Sequence, residues 1–211
     1  MFIATRTRPD ILFAITALAQ FSSNPSADHW RLLKRILAYT YSSQELSLCL
    51  DVIPGPPILR FYTDSSWASN IEDRKSWSGY VGFLSGVPVT WRVQKQKCIA
   101  LSTMEAEFIS LSTAVTEIRW LSTICHEVDW IKIQMPIVLR CDNESAIAFT
   151  KNCSESMQTK HIDLRYKYVR EVFKQQDIVL SHVASKDNVA DIFTKPLTRV
   201  PFERFRAVLV A

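Results

Sequence analysis

Residues 51–57, Asp51-Val-Ile-Pro-Gly-Pro-Pro, carry three prolines and a glycine, a stretch that can sustain neither a helix nor a central strand. The chain divides there, and its periodicity changes across the break. Before it the spacing is helical. Ile11, Ile15 and Leu18 recur on one face behind Thr7-Arg8-Pro9-Asp10, which offers an N-cap, an early proline and a first-turn acid. Asn24-Pro25-Ser26 ends that segment, and a second amphipathic helix starts near Asp28 with Trp30, Leu33, Leu37 and Tyr41 along one side.

After the break come short β-like runs, Ile58–Thr63, Tyr80–Leu84 and Val87–Val93, whose short turns predict an antiparallel set. A long helix from Thr103 to about Val128 follows, with Met104, Phe108, Leu111, Val115 and Ile118 at helical spacing. The remainder alternates: strand Ile137–Cys141, helices Glu144–Lys151 and Ile162–Lys174, strand Ile178–Val183, helix Asn188–Thr194. This order predicts an α/β fold, a mixed sheet with helices packed on it. The expected division is a helical segment over 1–50, a linker over 51–57, an α/β domain over 58–197 and a tail over 198–211.

With 211 residues and 47% hydrophobic content the chain can bury one good core. Its longest apolar stretch, Ile11 to Ala19, is about half of what a membrane span needs. No small-residue cleavage site follows it, so a signal peptide is not expected. Cysteines at 49, 98, 125, 141 and 153 form no C-x-x-C pair, which points to a reducing, intracellular compartment, cytoplasmic or nuclear. The net charge of +4 permits contact with a polyanion without demanding it.

Four acids stand where strand or helix ends could aim them at one point: Asp64, Glu107, Asp142 and Asp191. Carboxylates from four distant segments repel one another unless a cation sits between them, and a divalent metal is the candidate. Each has a plainer reading. Asp64 can initiate a turn before Ser65-Ser66, Asp142 can cap the helix after it, and Asp191 can serve the dipole of its helix. Within Ser102-Thr103-Met104-Glu105-Ala106-Glu107, Glu105 fits a capping box and so has a structural task. Glu107 lies about 60° from the centre of the apolar stripe, against about 100° for Glu105 on the other side, so Glu107 is the one expected to look inward.

Y-T-D-S-S-W-A, D-R-K-S-W-S-G-Y-V, I-A-L-S-T-M-E-A-E-F, C-D-N-E-S-A-I-A, T-K-H-I-D-L-R-Y and N-V-A-D-I-F-T-K-P-L, in that order from about Ile58 to Leu197, resemble the RNase H domain of copia-type retrotransposon polyproteins. Ahead of them, A-T-R-T-R-P-D-I-L-F-A and H-W-R-L-L-K-R-I-L-A-Y-T resemble the tail of the same polyprotein's reverse transcriptase. The resemblance implies an RNase H-like fold, a five-stranded mixed sheet with three antiparallel strands and then parallel ones, flanked by helices. It also implies that Asp64, Glu107, Asp142 and Asp191 hold two Mg²⁺ ions, with Mn²⁺ able to substitute, and that the substrate is the RNA strand of an RNA–DNA hybrid. A reverse transcriptase in cis or in trans is the implied partner, and a virus-like particle the implied setting of an active element. No Y-x-D-D polymerase motif is present, so the N-terminal segment is not expected to polymerise, and the chain reads as a fragment of a polyprotein or a truncated element copy. The alternative is a non-catalytic remnant that binds hybrid or supports a reverse transcriptase. Two residues depart from the family pattern: Trp77, where a small polar residue is common, and Glu144, an extra acid beside Asp142.

Arg92, Gln94, Lys95 and Lys97 are candidates for phosphate contact, as are Lys160 and His161; a solvated loop and a structural histidine are the plainer readings. Trp67 and Trp77 could stack on a nucleotide or pack in the interior. Arg165, Lys167 and Arg170 read as a solvated helix face, and no histidine pairs with cysteine at zinc-site spacing.

Overall fold

Leu59, Phe61 and Thr63, alternate residues of the first strand, all point to one buried face in a computed structural model of the chain. The structure describes residues 1–48, 50–128, 131–151, 160–175 and 177–211, without the side chains of 160–163 and 166. In chain order the elements are α1 (Phe2–Arg6), a 3-10 turn (Pro9–Ile11), α2 (Leu12–Ala19), α3 (Ala27–Ser42), β1 (Leu59–Ser66), β2 (Trp77–Leu84), β3 (Val87–Lys95), α4 (Thr103–Glu127), β4 (Ile137–Cys141), α5 (Glu144–Lys151), α6 (Lys160–Lys174), β5 (Ile178–His182), 3-10 turns at Ser185–Asp187 and Val189–Phe193, and α7 (Arg199–Leu209).

The strands form one five-stranded sheet in the order β3-β2-β1-β4-β5. β1, β2 and β3 pair antiparallel, whereas β4 pairs parallel with both β1 and β5, the mixed sheet that the family resemblance implies. Ser85 and Gly86, both at positive φ, make the tight β2–β3 turn. One face packs on α4 and α6, with Phe61 and Leu139 meeting Phe108, Leu111 and Val115. Each fully buried side chain of this size contributes about 2 kcal/mol. Among the described residues no helix is long and apolar enough to cross a membrane.

The opposite face carries a second core, in which Val81 and Phe83 of β2 meet Ile11 and Leu12, Ile192 and Phe193, and Phe205 and Leu209. The helical segment ahead of the proline-rich stretch therefore covers the sheet. Trp91 Nε1 donates to the Ala4 carbonyl at 2.9 Å, and Trp77, the departure noted in sequence, is buried edge-on against Phe13 at 5.7 Å. The proline-rich stretch is docked too, since the Ile53 amide donates to the Ser85 carbonyl at 2.7 Å.

Several boundaries differ from the sequence reading. β1 runs on through Ser66 and β3 through Lys95 because each has an antiparallel partner to continue with. Asn188–Thr194 is a 3-10 turn over Val189–Phe193, and the segment read as a tail forms α7. An α7 of 11 residues becomes worth ordering only once Phe205 and Leu209 meet the N-terminal helices, a partner that local periodicity does not disclose. On α3 the stripe chosen from sequence is largely exposed, with Trp30 57%, Leu37 56% and Tyr41 78% accessible. The turn of that helix is set instead by Tyr39, whose hydroxyl donates to Asp10 Oδ2 at 2.8 Å. Asp10 in turn pairs with Arg8 rather than capping a helix.

Candidate active site

The sheet opens a crevice beside β1. Its parallel pairing to β4 ends at Tyr62 opposite Arg140, while its antiparallel pairing to β2 continues through Ser66. Asp64 lies in that unmatched stretch, the position at which open α/β sheets present chemistry. It is 1% exposed, and its Oδ2 accepts a short hydrogen bond from the Thr194 hydroxyl.

Thr194 and Asp191 arrive from the other face of the sheet on the 189–193 turn. Asn188, fully buried, docks this turn: its Nδ2 donates to the Thr63 carbonyl at 3.0 Å while its Oδ1 accepts from the Ala190 amide at 3.2 Å. Gly79, opposite Asp64 in the β1–β2 register, leaves the room. A Cβ there would stand 2.6 Å from Phe193 Cβ and 2.8 Å from Thr194 Cγ2, so only glycine lets the turn come close enough to bring Asp191 to Asp64.

From the α4 side comes Glu107, 6% exposed, whose Oε1 accepts from the Ser65 amide at 3.1 Å. Glu105 is occupied elsewhere, as the capping argument predicts. Its amide donates to Ser102 Oγ at 3.1 Å, and its carboxylate accepts from the Leu101 amide at 2.8 Å, one residue earlier than a reciprocal box would have it. Asp142 follows β4 and is half-buried. It does not cap α5: Asn143 does, through Oδ1 to the Ala146 amide at 2.8 Å. Glu144 is exposed at the start of that helix.

The four acids thus converge. Oxygens of Asp64, Asp142 and Asp191 all lie within 4.8 Å of one another, and Glu107 lies equally close to Asp142 and the Cys141 thiol. At that spacing two ionised carboxylates repel by about 3 kcal/mol at an effective dielectric near 20. Burial first, then the neighbouring carboxylates, push Asp64 up to about 7 even though Lys195 pulls it down. Burial and the charges of Asp64 and Asp142 likewise raise Glu107 well above the usual carboxylate range, and burial raises Asp191. Cys141 donates toward Glu107 Oε2 at 3.7 Å, and burial holds its thiol protonated. Such a set of hard oxygen donors, incompletely neutralised, fits a divalent cation such as Mg²⁺.

One member of the site was missed in sequence. Lys195 Nζ lies 2.9 Å from Asp191 Oδ1 and 3.7 Å from Asp64 Oδ2. The acid and base four residues apart in N-V-A-D-I-F-T-K-P were the available signal.

The candidate nucleic-acid contacts are more dispersed. Arg92, exposed, and Gln94, half-buried, line a polar cleft of about 280 Å³ with Ser112, Thr116 and Arg165. Arg165 is no freely solvated residue, since its Nη1 donates to Ser112 Oγ at 3.1 Å. Lys95 is tied to Asp73 at 2.9 Å and to Gln20 at 2.7 Å, so its charge is engaged within the chain. Lys97 is exposed in the loop before α4, and the side chains of Lys160 and His161 lie outside the described residues. Trp67, 45% exposed, anchors that loop through Nε1 to the Ala100 carbonyl at 2.9 Å.

No protein-family model matches the chain. Among solved structures it is similar to an RNase H1 isolated from compost, with a TM-score of 0.50 at 14% identity over 65% of this chain and 92% of that one. It is also similar to a foamy viral protease-reverse transcriptase solved with double-stranded DNA, with a TM-score of 0.55 at 11% identity over 82% of this chain and 33% of that one. The likeness to the RNase H1 establishes the RNase H fold. In sequence the chain is 37% identical, over 96% of its length, to the retrovirus-related Pol polyprotein of the tobacco (Nicotiana tabacum) transposon TNT 1-94, and it spans 15% of that relative's length. Sequence and fold together place the chain in the family of retrovirus-related Pol polyproteins from copia-type transposons, as an RNase H-fold portion of one.

Proposed function

We propose that this chain is a ribonuclease H, hydrolysing the RNA strand of RNA–DNA hybrids with two Mg²⁺ ions held by Asp64, Glu107, Asp142 and Asp191, for which Mn²⁺ can substitute. The observation that carries this reading is the convergence of those carboxylates in the crevice beside β1. Bound ions would supply a hydroxide nucleophile at neutral pH and charge stabilisation at the leaving 3′-oxygen.

The chain's own residues do the positioning. The Thr194 hydroxyl fixes one oxygen of Asp64, and the Ser65 amide fixes one oxygen of Glu107, so neither buried acid needs to reorganise when a substrate arrives. Asp142, the least buried of the four, stands at the mouth of the crevice, where a phosphodiester would enter. Arg92 and Lys97, both exposed, are the basic side chains offered to the hybrid backbone outside it. A reverse transcriptase, in cis or in trans, would add hybrid-binding surface.

The substrate class is tested with one labelled RNA presented three ways: alone, paired with RNA, and paired with DNA. In Mg²⁺ the strand paired with DNA is expected to be cut to 3′-hydroxyl and 5′-phosphate ends while the other two stay intact. Equal cutting of all three, or cutting of the DNA strand instead, contradicts the reading.

A further inference from the structure

Lys195 carries a positive charge into the acid cluster, and the chain is arranged to keep it there. Its amide donates to the Asp191 carbonyl at 3.3 Å, which puts it on the same turn as that acid, and its Nζ bridges Asp191 Oδ1 and Asp64 Oδ2 at 2.9 and 3.7 Å. The residue also borders a cavity of about 580 Å³ whose walls include Phe13, Ile192 and Leu197. Withdrawal of an ammonium into apolar surroundings is costly, so its two stations are the carboxylates and the solvent, to which the side chain is 36% exposed. The carboxylates it bridges are two of the proposed cation ligands. Glu107, by contrast, is held by the Ser65 amide and makes no bond to Lys195.

We infer that Lys195 is a built-in counter-cation that holds Asp64 and Asp191 together and competes with the divalent ion for them, so that this side chain sets the affinity of the site. The inference rests on reading the acids as a divalent-ion centre. It makes Lys195 a positioning residue with two opposed effects: it stabilises the fold when little divalent ion is present and weakens binding of that ion. With a divalent ion bound, Asp64 and Asp191 would be neutralised without Lys195, whose ammonium would be free to turn outward to solvent.

The test compares the parent with Lys195→Gln, which keeps a hydrogen-bond donor and removes the charge, by calorimetric titration with Mn²⁺ and by thermal midpoint in chelator. The variant is expected to bind Mn²⁺ about tenfold more tightly. It is also expected to melt lower than the parent in chelator, with the gap closing at saturating Mn²⁺. Lys186→Met, removing an exposed charge on the preceding turn, should change Mn²⁺ affinity less than about twofold. Equal affinity in Lys195→Gln and the parent, or an equal gain in Lys186→Met, overturns the inference. If Lys195→Gln is unfolded in chelator, refolding in Mn²⁺ supports it, and failure to refold at saturating Mn²⁺ marks Lys195 as purely structural and overturns it. A parent that binds no Mn²⁺ sinks the metal-centre reading itself, which distinguishes the two failures.

Discussion

Asp64→Asn is expected to abolish hybrid cleavage while making the protein more stable in chelator above pH 7. The loss should exceed about 100-fold, the range that even outer partners of metal ligands produce when removed. The gain in stability follows from burial. Asp64 is 1% exposed, and desolvation is the largest influence pushing its carboxyl up to about 7, with Asp191 and Asp142 adding to it and Lys195 opposing. Because the folded value lies above the ordinary 3.8, the folded chain keeps a proton that the unfolded chain releases as pH rises. The destabilisation sets in between about pH 4 and pH 7 and is complete above that, reaching up to about 4 kcal/mol. Asparagine has no charge to desolvate and can still accept from Thr194. The variant's advantage should therefore be large at pH 8, shrink on acidification, and be absent near pH 4 by denaturant unfolding in chelator. Saturating Mg²⁺ should reverse the ranking by stabilising the parent alone. A variant no more stable than the parent at pH 8, or one whose advantage grows as pH falls, would contradict this account of the site.

Arg8→Met is expected to destabilise the chain by about 3–5 kcal/mol, the range for a buried pair that loses one partner. Arg8 and Asp10 are each 4% exposed and meet in a two-pronged bond, Nε to Oδ1 at 2.9 Å and Nη2 to Oδ2 at 2.8 Å. Arg8 also reaches the Ser43 carbonyl at 2.9 Å, so it joins α3 to the turn before α2. Removing it strands a carboxylate that retains, among the described residues, only the Tyr39 hydroxyl. The damage reaches the site, because Ile11 and Leu12 pack on Ile192 and Phe193, the neighbours of Asp191. A double change, Arg8→Met with Asp10→Leu, removes both charges and should recover most of the loss in urea unfolding. If Arg8→Met alone costs under about 1 kcal/mol, the level of an exposed pair, the N-terminal layer is not the clamp described here.

The sheet was legible in sequence because its signals are local. Period-two alternation in Leu59–Thr63, the apolar spacing from Met104 to Ile118 and the turn residues between strands each report on neighbours within a few positions. The same holds for choosing Glu107 over Glu105, since the cap and the helical angle are properties of one helix. What escaped depends on partners far along the chain. Asn188 reads as an ordinary cap until its other end is found on the Thr63 carbonyl, and Gly79 reads as a strand glycine until Phe193 is found above it. Arg8 and Asp10 look like a helix start because their burial is decided by α3 and α7. Asp142 lies among the other acids, while the helix cap that the sequence also allows it belongs to Asn143, a one-residue difference that spacing alone does not resolve.

The proposed ribonuclease activity requires the four carboxylates to act together as a divalent-ion centre. Cleavage of a labelled RNA–DNA hybrid, followed in Mg²⁺ and in chelator with the parent and with Asp142→Asn, tests it most directly. Asp142 is the variant of choice because it belongs to both acid groupings and is the least buried of the four, so its replacement is expected to spare the fold. The parent in Mg²⁺ is expected to cut the RNA, which stays intact in every other combination. RNA left whole by a folded parent in Mg²⁺, or cut equally by Asp142→Asn, would contradict it.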